Sequence, residues 1–232
     1  MTEQAERAGS MTEVGRIAGV FWAPRRVFED LAECPRWWAP LIILTVLSIG
    51  EFVTLTHVVG WEHIMPKEVE LQFLPVMGYV NAVCGQTISA LLTAAVMVGS
   101  LNWLGGAKLK YRQAFSVTCY SSLPRVLETG LGIVVMFLKT PAEFSAASAR
   151  PVNLGVFLNP KTTPMWLYML ASSFDPFFMW VLLLMAVGFS IASKKLTFGK
   201  SLTLVVLPWA VFVLLVCVMM AIIMYGTPLL QG

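Results

Sequence analysis

Apolar residues run almost unbroken through five stretches of the chain, and polar residues collect between them. The runs cover about 39–59, 83–104, 116–138, 174–193 and 203–225, the second being the least apolar. Each approaches the roughly 20 residues that a helix needs to cross a bilayer core. A helix is the natural form for such a run, because it satisfies every backbone N–H and C=O internally. The pattern therefore predicts an all-α membrane protein, a bundle of five transmembrane helices.

Ahead of the first run the period changes. Within 16–33 (RIAGVFWAPRRVFEDLAE), Ile17, Val20, Phe21, Phe28 and Leu31 fall on one helical stripe, and Arg25, Arg26, Glu29, Asp30 and Glu33 on the other. Pro24 suits the first turn of a helix, where its missing N–H costs nothing. We read 16–36 as an N-terminal amphipathic interfacial helix, feeding the first span through Trp37 and Trp38. Phe21, Trp22, Arg25, Arg26, Phe28, Trp37 and Trp38 are the candidate membrane-interface residues. Packing of the same stripe onto the protein's own surface fits the pattern equally well. The predicted organisation is a flexible cytoplasmic N-terminus at 1–15, the interfacial helix at 16–36, a five-span domain at 37–226 and a tail at 227–232.

Composition agrees with a lipid-embedded chain. Of 232 residues, 57% are hydrophobic and 12% charged, against about 25% charged in a typical soluble domain. Residues 1–36 carry eleven charged side chains and no apolar core, so a cleavable signal peptide is not expected. Eleven lysines and arginines border one set of span ends, in the N-terminal segment and near 108–112 and 194–200. The other set has four: Lys67, Lys139, Arg150 and Lys161. That asymmetry places the N-terminus in the cytoplasm and the C-terminus outside. A net charge of +3 with no long basic run is too small to suggest a nucleic-acid partner, and none is expected.

Two charges interrupt the third run, YSSLPRVLETGLGIVVMFL at 120–138. Glu128 lies twelve residues into that span and Glu51 twelve residues into the first, each roughly 18 Å from the inner face at about 1.5 Å per residue, with Arg125 near 14 Å. A charge near mid-bilayer costs on the order of 2.5–3.5 kcal/mol even on the lenient insertion scale. Glu51, Arg125 and Glu128 are therefore expected as a buried polar cluster facing the bundle interior. It would act either as a clamp between spans one and three or as the lining of a binding cavity. Pro124 would bend the span beside it. Further on, Asp175-Pro176 reads as a candidate helix cap followed by a first-turn proline, and Asn153 as the cap of a short surface helix.

Several segments in this order are similar to one family: FWAPRRVFEDL (21–31), YRQAFSVTCYSSLP (111–124), NLGVFLNP (153–160), DPFFMWVLLLMAVG (175–188) and KSLTLVVLPW (200–209). Over roughly residues 20–225 the chain resembles bacterial members of the Yip-one domain family, five-span proteins of the Ypt/Rab-interacting type. The resemblance implies a membrane adaptor or organiser, with no catalytic motif to carry over. A cytoplasmic segment of about 36 residues is shorter than in the eukaryotic members, which argues against a GTPase partner.

No catalytic signature stands beside these features. His57 and His63 form no H-E-x-x-H pattern, no serine lies in G-x-S-x-G, and no Walker glycine loop occurs. The four cysteines are scattered without a C-x-x-C pair, which fits neither a disulfide framework nor a zinc site. We expect no enzyme activity, no cofactor and no metal. The expected function is a non-enzymatic organiser or trafficking/assembly adaptor of the bacterial cytoplasmic membrane. Its partners would be the lipid bilayer and other membrane proteins or further copies of itself. The alternative is a small-molecule or lipid transporter using a polar cavity around Arg125, Glu128 and Glu51.

Overall fold

Length and apolarity decide the architecture. A computed structural model describes residues 11–60, 74–140, 151–159, 162–193 and 195–226. Among these residues the structure is all helical, and five segments are long and apolar enough to cross a membrane: Trp38–Val59, Val76–Leu104, Tyr111–Leu138, Pro176–Ser193 and Phe198–Met224. The helices are α1 (Glu13–Trp22), α2 (Pro24–Glu33), α3 (Trp38–Thr54), α4 (Leu74–Gly99), α5 (Tyr111–Ser121), α6 (Arg125–Leu138), α7 (Met165–Ser172), α8 (Pro176–Ser193) and α9 (Phe198–Gly226). Single π-turns, Leu55–Val59 and Ser100–Leu104, extend α3 and α4.

Helix α8 is the most enclosed span and packs on α2, α5, α6 and α9. Helices α3 and α4 pair with each other, α9 packs on α8 and touches α4, and the apolar outer surface includes Val80, Leu92, Leu131, Val134, Phe212 and Leu215. One end of the bundle carries Lys108, Lys110, Arg112, Lys195 and Lys200, and is called the basic end below.

The segment 16–33 is two helices rather than one. Pro24 disfavours helical geometry at the residue before it, and Ala23 leaves the helix at φ −143°, ψ 56°. The two helices fold back on each other, closely enough at Gly19 that an added Cβ would come within 2.7 Å of Val27. They then dock on α5 and α8, so that Val20, Val27, Phe28 and Leu31 are buried in the protein's own core. Gly188 of α8 permits this approach: a Cβ there would lie 2.5 Å from Val117 and 2.9 Å from Phe28.

Two more boundaries differ from expectation. Helix α4 begins nine residues before the predicted start at 83, since Tyr79 and Asn81 dilute the apolar signal without breaking the helix. Between the third and fourth spans, Met165–Ser172 forms α7, which leads into α8 and packs along α9. Pro208 inside α9 removes the N–H that would bond the Leu204 carbonyl. Ser100 Oγ of the α4 π-turn donates to that carbonyl at 2.8 Å and so joins the second and fifth spans.

Candidate functional site

The docked hairpin is fastened by charge as well as by apolar packing. Arg16 is wholly buried; its Nη1 lies 2.9 Å from Glu13 Oε1 and its Nε 2.5 Å from Asp30 Oδ2. Tyr120 of α5 donates its hydroxyl to Glu13 Oε2 at 2.6 Å, and Arg36 reaches Glu13 Oε1 at 3.0 Å. Ser116 of α5 also donates to the Arg36 carbonyl. Buried ions hold together only when partners and hydrogen bonds replace the lost water. Here those partners come from α1, α2, α5 and the linker to the first span.

Burial pushes the Glu13 carboxyl up, but hydrogen bonds from Tyr120 and Arg36 and the charges of Arg16 and Arg36 outweigh it, holding it below its ordinary value of 4.5. A depressed carboxyl contributes its full stability above its unfolded value and loses it as pH falls through the folded one. Proteolytic protection of residues 11–36 should therefore be complete at neutral pH and fall away below about pH 4.5. Glu13→Gln should flatten that acid limb. A wild-type profile unchanged down to pH 3 would contradict the assignment.

The residues expected at the membrane interface separate into two groups. Phe28 is fully buried and Phe21 is half-buried, its ring edge-on to Trp180 with centroids 5.7 Å apart. Their apolar stripe meets protein rather than lipid, because α8 and α5 offer it a closer surface. Trp22 is 86% exposed, and Arg25 and Arg26 are exposed beside it, with Arg25 paired to Glu29 at 3.0 Å. Trp37 packs on Phe115 with part of its ring exposed, and Trp38 is more open still.

Two helix breaks build a second polar site. The third span is interrupted at Ser122–Pro124, where Pro124 has no N–H for the Tyr120 carbonyl and Leu123 N–H bonds it instead at 3.2 Å. Helix α6 then opens with Arg125, whose Nε lies 3.6 Å from Glu128 Oε2. Glu128 is 8% exposed. A second break separates α7 from α8 at Ser173–Asp175. Asp175 Oδ1 accepts from the N–H groups of Phe177 (2.7 Å) and Phe178 (3.0 Å), which caps α8. Glu51 sits half-buried on α3, and α3 packs against α6.

The two breaks face one cavity of about 420 Å³, lined by Arg125, Glu128, Ser172, Asp175, Phe178 and Trp209 among others. A second cavity of about 430 Å³ lies toward the basic end, where Gln86, Ser89, Thr93, Thr118 and Ser122 supply polar groups and Arg125 is again in the wall. A third, of about 600 Å³, lies along α9 toward its C-terminal end between α7 and α9, and shares Trp209, Val213 and Cys217 with the first. Volumes of roughly 300–1,000 Å³ are typical of ligand sites. Sequence reading found Arg125 and Glu128 but took Asp175 only as a cap. Nothing local to either span signals that the two breaks share a wall. Among the described residues no group of three or more His, Cys, Asp or Glu side chains could hold a metal ion.

Five apolar helices of membrane length define a multi-pass integral membrane protein. The Yip1 domain profile matches residues 18–220, and the chain belongs to the Yip1 domain family, a non-enzymatic membrane family. Neither a curated protein nor a solved structure gave a match.

Proposed function

We propose that the protein is a non-enzymatic organiser or assembly adaptor of a bacterial cytoplasmic membrane, with its N-terminus in the cytoplasm and its C-terminus outside. The observation that carries this reading is the hairpin. A buried ion network fixes it to α5 and to the linker before the first span, while Trp22, Arg25 and Arg26 are exposed at and just after its turn. An aromatic side chain between cationic ones suits a headgroup region or the rim of another membrane protein. The bilayer and neighbouring membrane proteins, or further copies of this chain, are the partners this surface fits, and no GTPase is required.

The test is a chromosomal variant carrying Trp22→Ala, Arg25→Ala and Arg26→Ala together. The five-span protein should accumulate normally, while the distribution of other membrane proteins changes as it does on deletion of the gene. Normal distribution in both strains would remove the organiser reading. Orientation is checked separately. A reporter active only outside the cytoplasm should be active when fused after Gly232 and silent when inserted near Lys110.

A second reading, a carrier for a small molecule or lipid, is supported by the cavities around Arg125.

A further inference from the structure

We infer that the cavity between the two helix breaks is a binding site for a single-chain or lipid amphiphile with an ammonium head, and that Asp175 is the residue that takes the head. The inference deepens the carrier reading and leaves the organiser reading untouched.

Charge comes first. Arg125 and Glu128 face each other across 3.6 Å and largely offset one another. Asp175 adds a second carboxylate to the same wall, so among the described lining residues two carboxylates face one guanidinium. Asp175 is 6% exposed, and only one of its oxygens is used: Oδ1 caps α8, while Oδ2 is buried with no hydrogen-bond partner. An unpaired buried carboxylate oxygen is costly. A cationic group in the cavity beside it would remove that cost.

The other walls decide which cation. Cys217 also lines the cavity, but its Sγ donates to the Trp166 carbonyl at 3.5 Å, and among the described residues no three His, Cys, Asp or Glu side chains are grouped to hold a metal ion, so the site is a poor metal cage. Tyr168, Phe178, Trp209 and Phe212 line it instead. Aromatic faces favour an organic ammonium, which tolerates partial dehydration and gains from the ring quadrupoles.

The groove also has a direction. Toward the basic end, the adjoining cavity offers hydroxyl and amide groups, among them the buried Thr118 Oγ1 that has no partner. Along α9 toward its C-terminal end, the adjoining cavity has an entirely apolar wall, including Trp166, Leu170, Leu214 and Val218. Trp209 lines all three. An amphiphile fits with its head at Asp175 and its chain along α9. Where a phosphate accompanies the ammonium, as in a zwitterionic phospholipid, Arg125 stands in the same wall to receive it.

The test uses the full chain purified in a non-ionic maltoside. Dodecyltrimethylammonium, lysophosphatidylcholine and dodecyl sulfate are titrated separately, with bound stoichiometry read by native mass spectrometry and the shift in Tm recorded. Both ammonium amphiphiles should bind one per chain and raise Tm; the sulfate should not. Tighter binding of lysophosphatidylcholine than of the simple cation identifies a phospholipid as the source, and the reverse a free amine amphiphile. Asp175→Asn keeps the cap, since asparagine caps as well as aspartate. It should not lower the ligand-free Tm, since the charge it removes is unpaired there, and it should weaken the ammonium probes by roughly thirtyfold or more, as removal of one partner of a desolvated charge pair does. Trp209→Leu provides a second variant that should weaken them while keeping the charge. Equal binding of sulfate and ammonium, the same stabilisation from sodium chloride alone, no binding, or undiminished affinity in Asp175→Asn would each overturn the proposal. None of these results bears on the hairpin variants, so failure here is distinct from failure of the organiser reading.

Discussion

Arg16→Ala is expected to loosen the docking of residues 11–36 on the bundle while the five spans remain folded. The side chain is fully buried and serves two carboxylates at once, Glu13 at 2.9 Å and Asp30 at 2.5 Å. Removing it leaves both acids in a site built to exclude water. Breaking a buried ion pair from one side costs about 3–5 kcal/mol. The apolar contacts of Val20, Val27, Phe28 and Leu31 remain, so the competition is between that cost and the burial of four side chains. Full burial of each is worth about 1.5–3 kcal/mol, so the four together outweigh that cost and the hairpin stays docked on average, but it opens far more often than in the wild type. Protease sites in 11–36 should therefore become cleavable in intact membranes, with the spans protected. Asp30→Asn in the same chain should restore part of the protection. Lysine at 16 should restore less than arginine does, because an ammonium cannot present a planar fork to both acids. Wild-type resistance in Arg16→Ala would show that the ion network is dispensable.

Much of the architecture is written in the sequence because a membrane imposes length. Spans one and five end close to where their apolar runs end, and five membrane-length helices follow from hydropathy alone. The Asp175-Pro176 start of α8 is likewise a local signal, as a carboxylate followed by proline has few other uses. The hairpin was only half legible. Pro24 marks a helix start, but the apolar stripe continues in phase across it, and a stripe does not say whether lipid or protein will cover it. Phe28 went to protein because Gly188 leaves room for it, and that room lies 160 positions away in the chain. Helix α7 was hidden for a different reason: four prolines between 141 and 164 read as loop, and a helix of eight residues is too short to show a period. With α7 hidden, the cavity wall that Asp175 shares with Arg125 could not be read either. The bond from Ser100 to the Leu204 carbonyl is invisible for the same reason, since it depends on which two spans end up adjacent.

Arg125→Ala should lower the yield of folded protein, and Glu128→Gln in the same chain should recover part of it. Both effects rest on depth. Arg125 begins α6 fourteen residues after α5 starts, so it lies roughly 21 Å along the third span at about 1.5 Å per residue, far from either end. Glu128 is 8% exposed, and the Arg125 guanidinium lies 3.6 Å from it. Truncating one partner of a buried charge pair costs roughly 2–5 kcal/mol. The low end applies here, because the Arg125 side chain is 31% exposed and the contact is long. About 2 kcal/mol is a large share of the 5–15 kcal/mol that holds a typical domain together. Arg125→Lys separates the two roles of the side chain. A lysine keeps the charge, so a clamp should survive and the folded yield should stay near wild type. It loses the planar fork that receives a phosphate bidentately. Lysophosphatidylcholine binding should then fall in Arg125→Lys while dodecyltrimethylammonium binding, which depends on Asp175, holds. Equal folded yields for wild type, Arg125→Ala and Arg125→Leu would show that the charge is not a clamp, and undiminished lysophosphatidylcholine binding in the same variants would show that it is not a working part of the cavity wall.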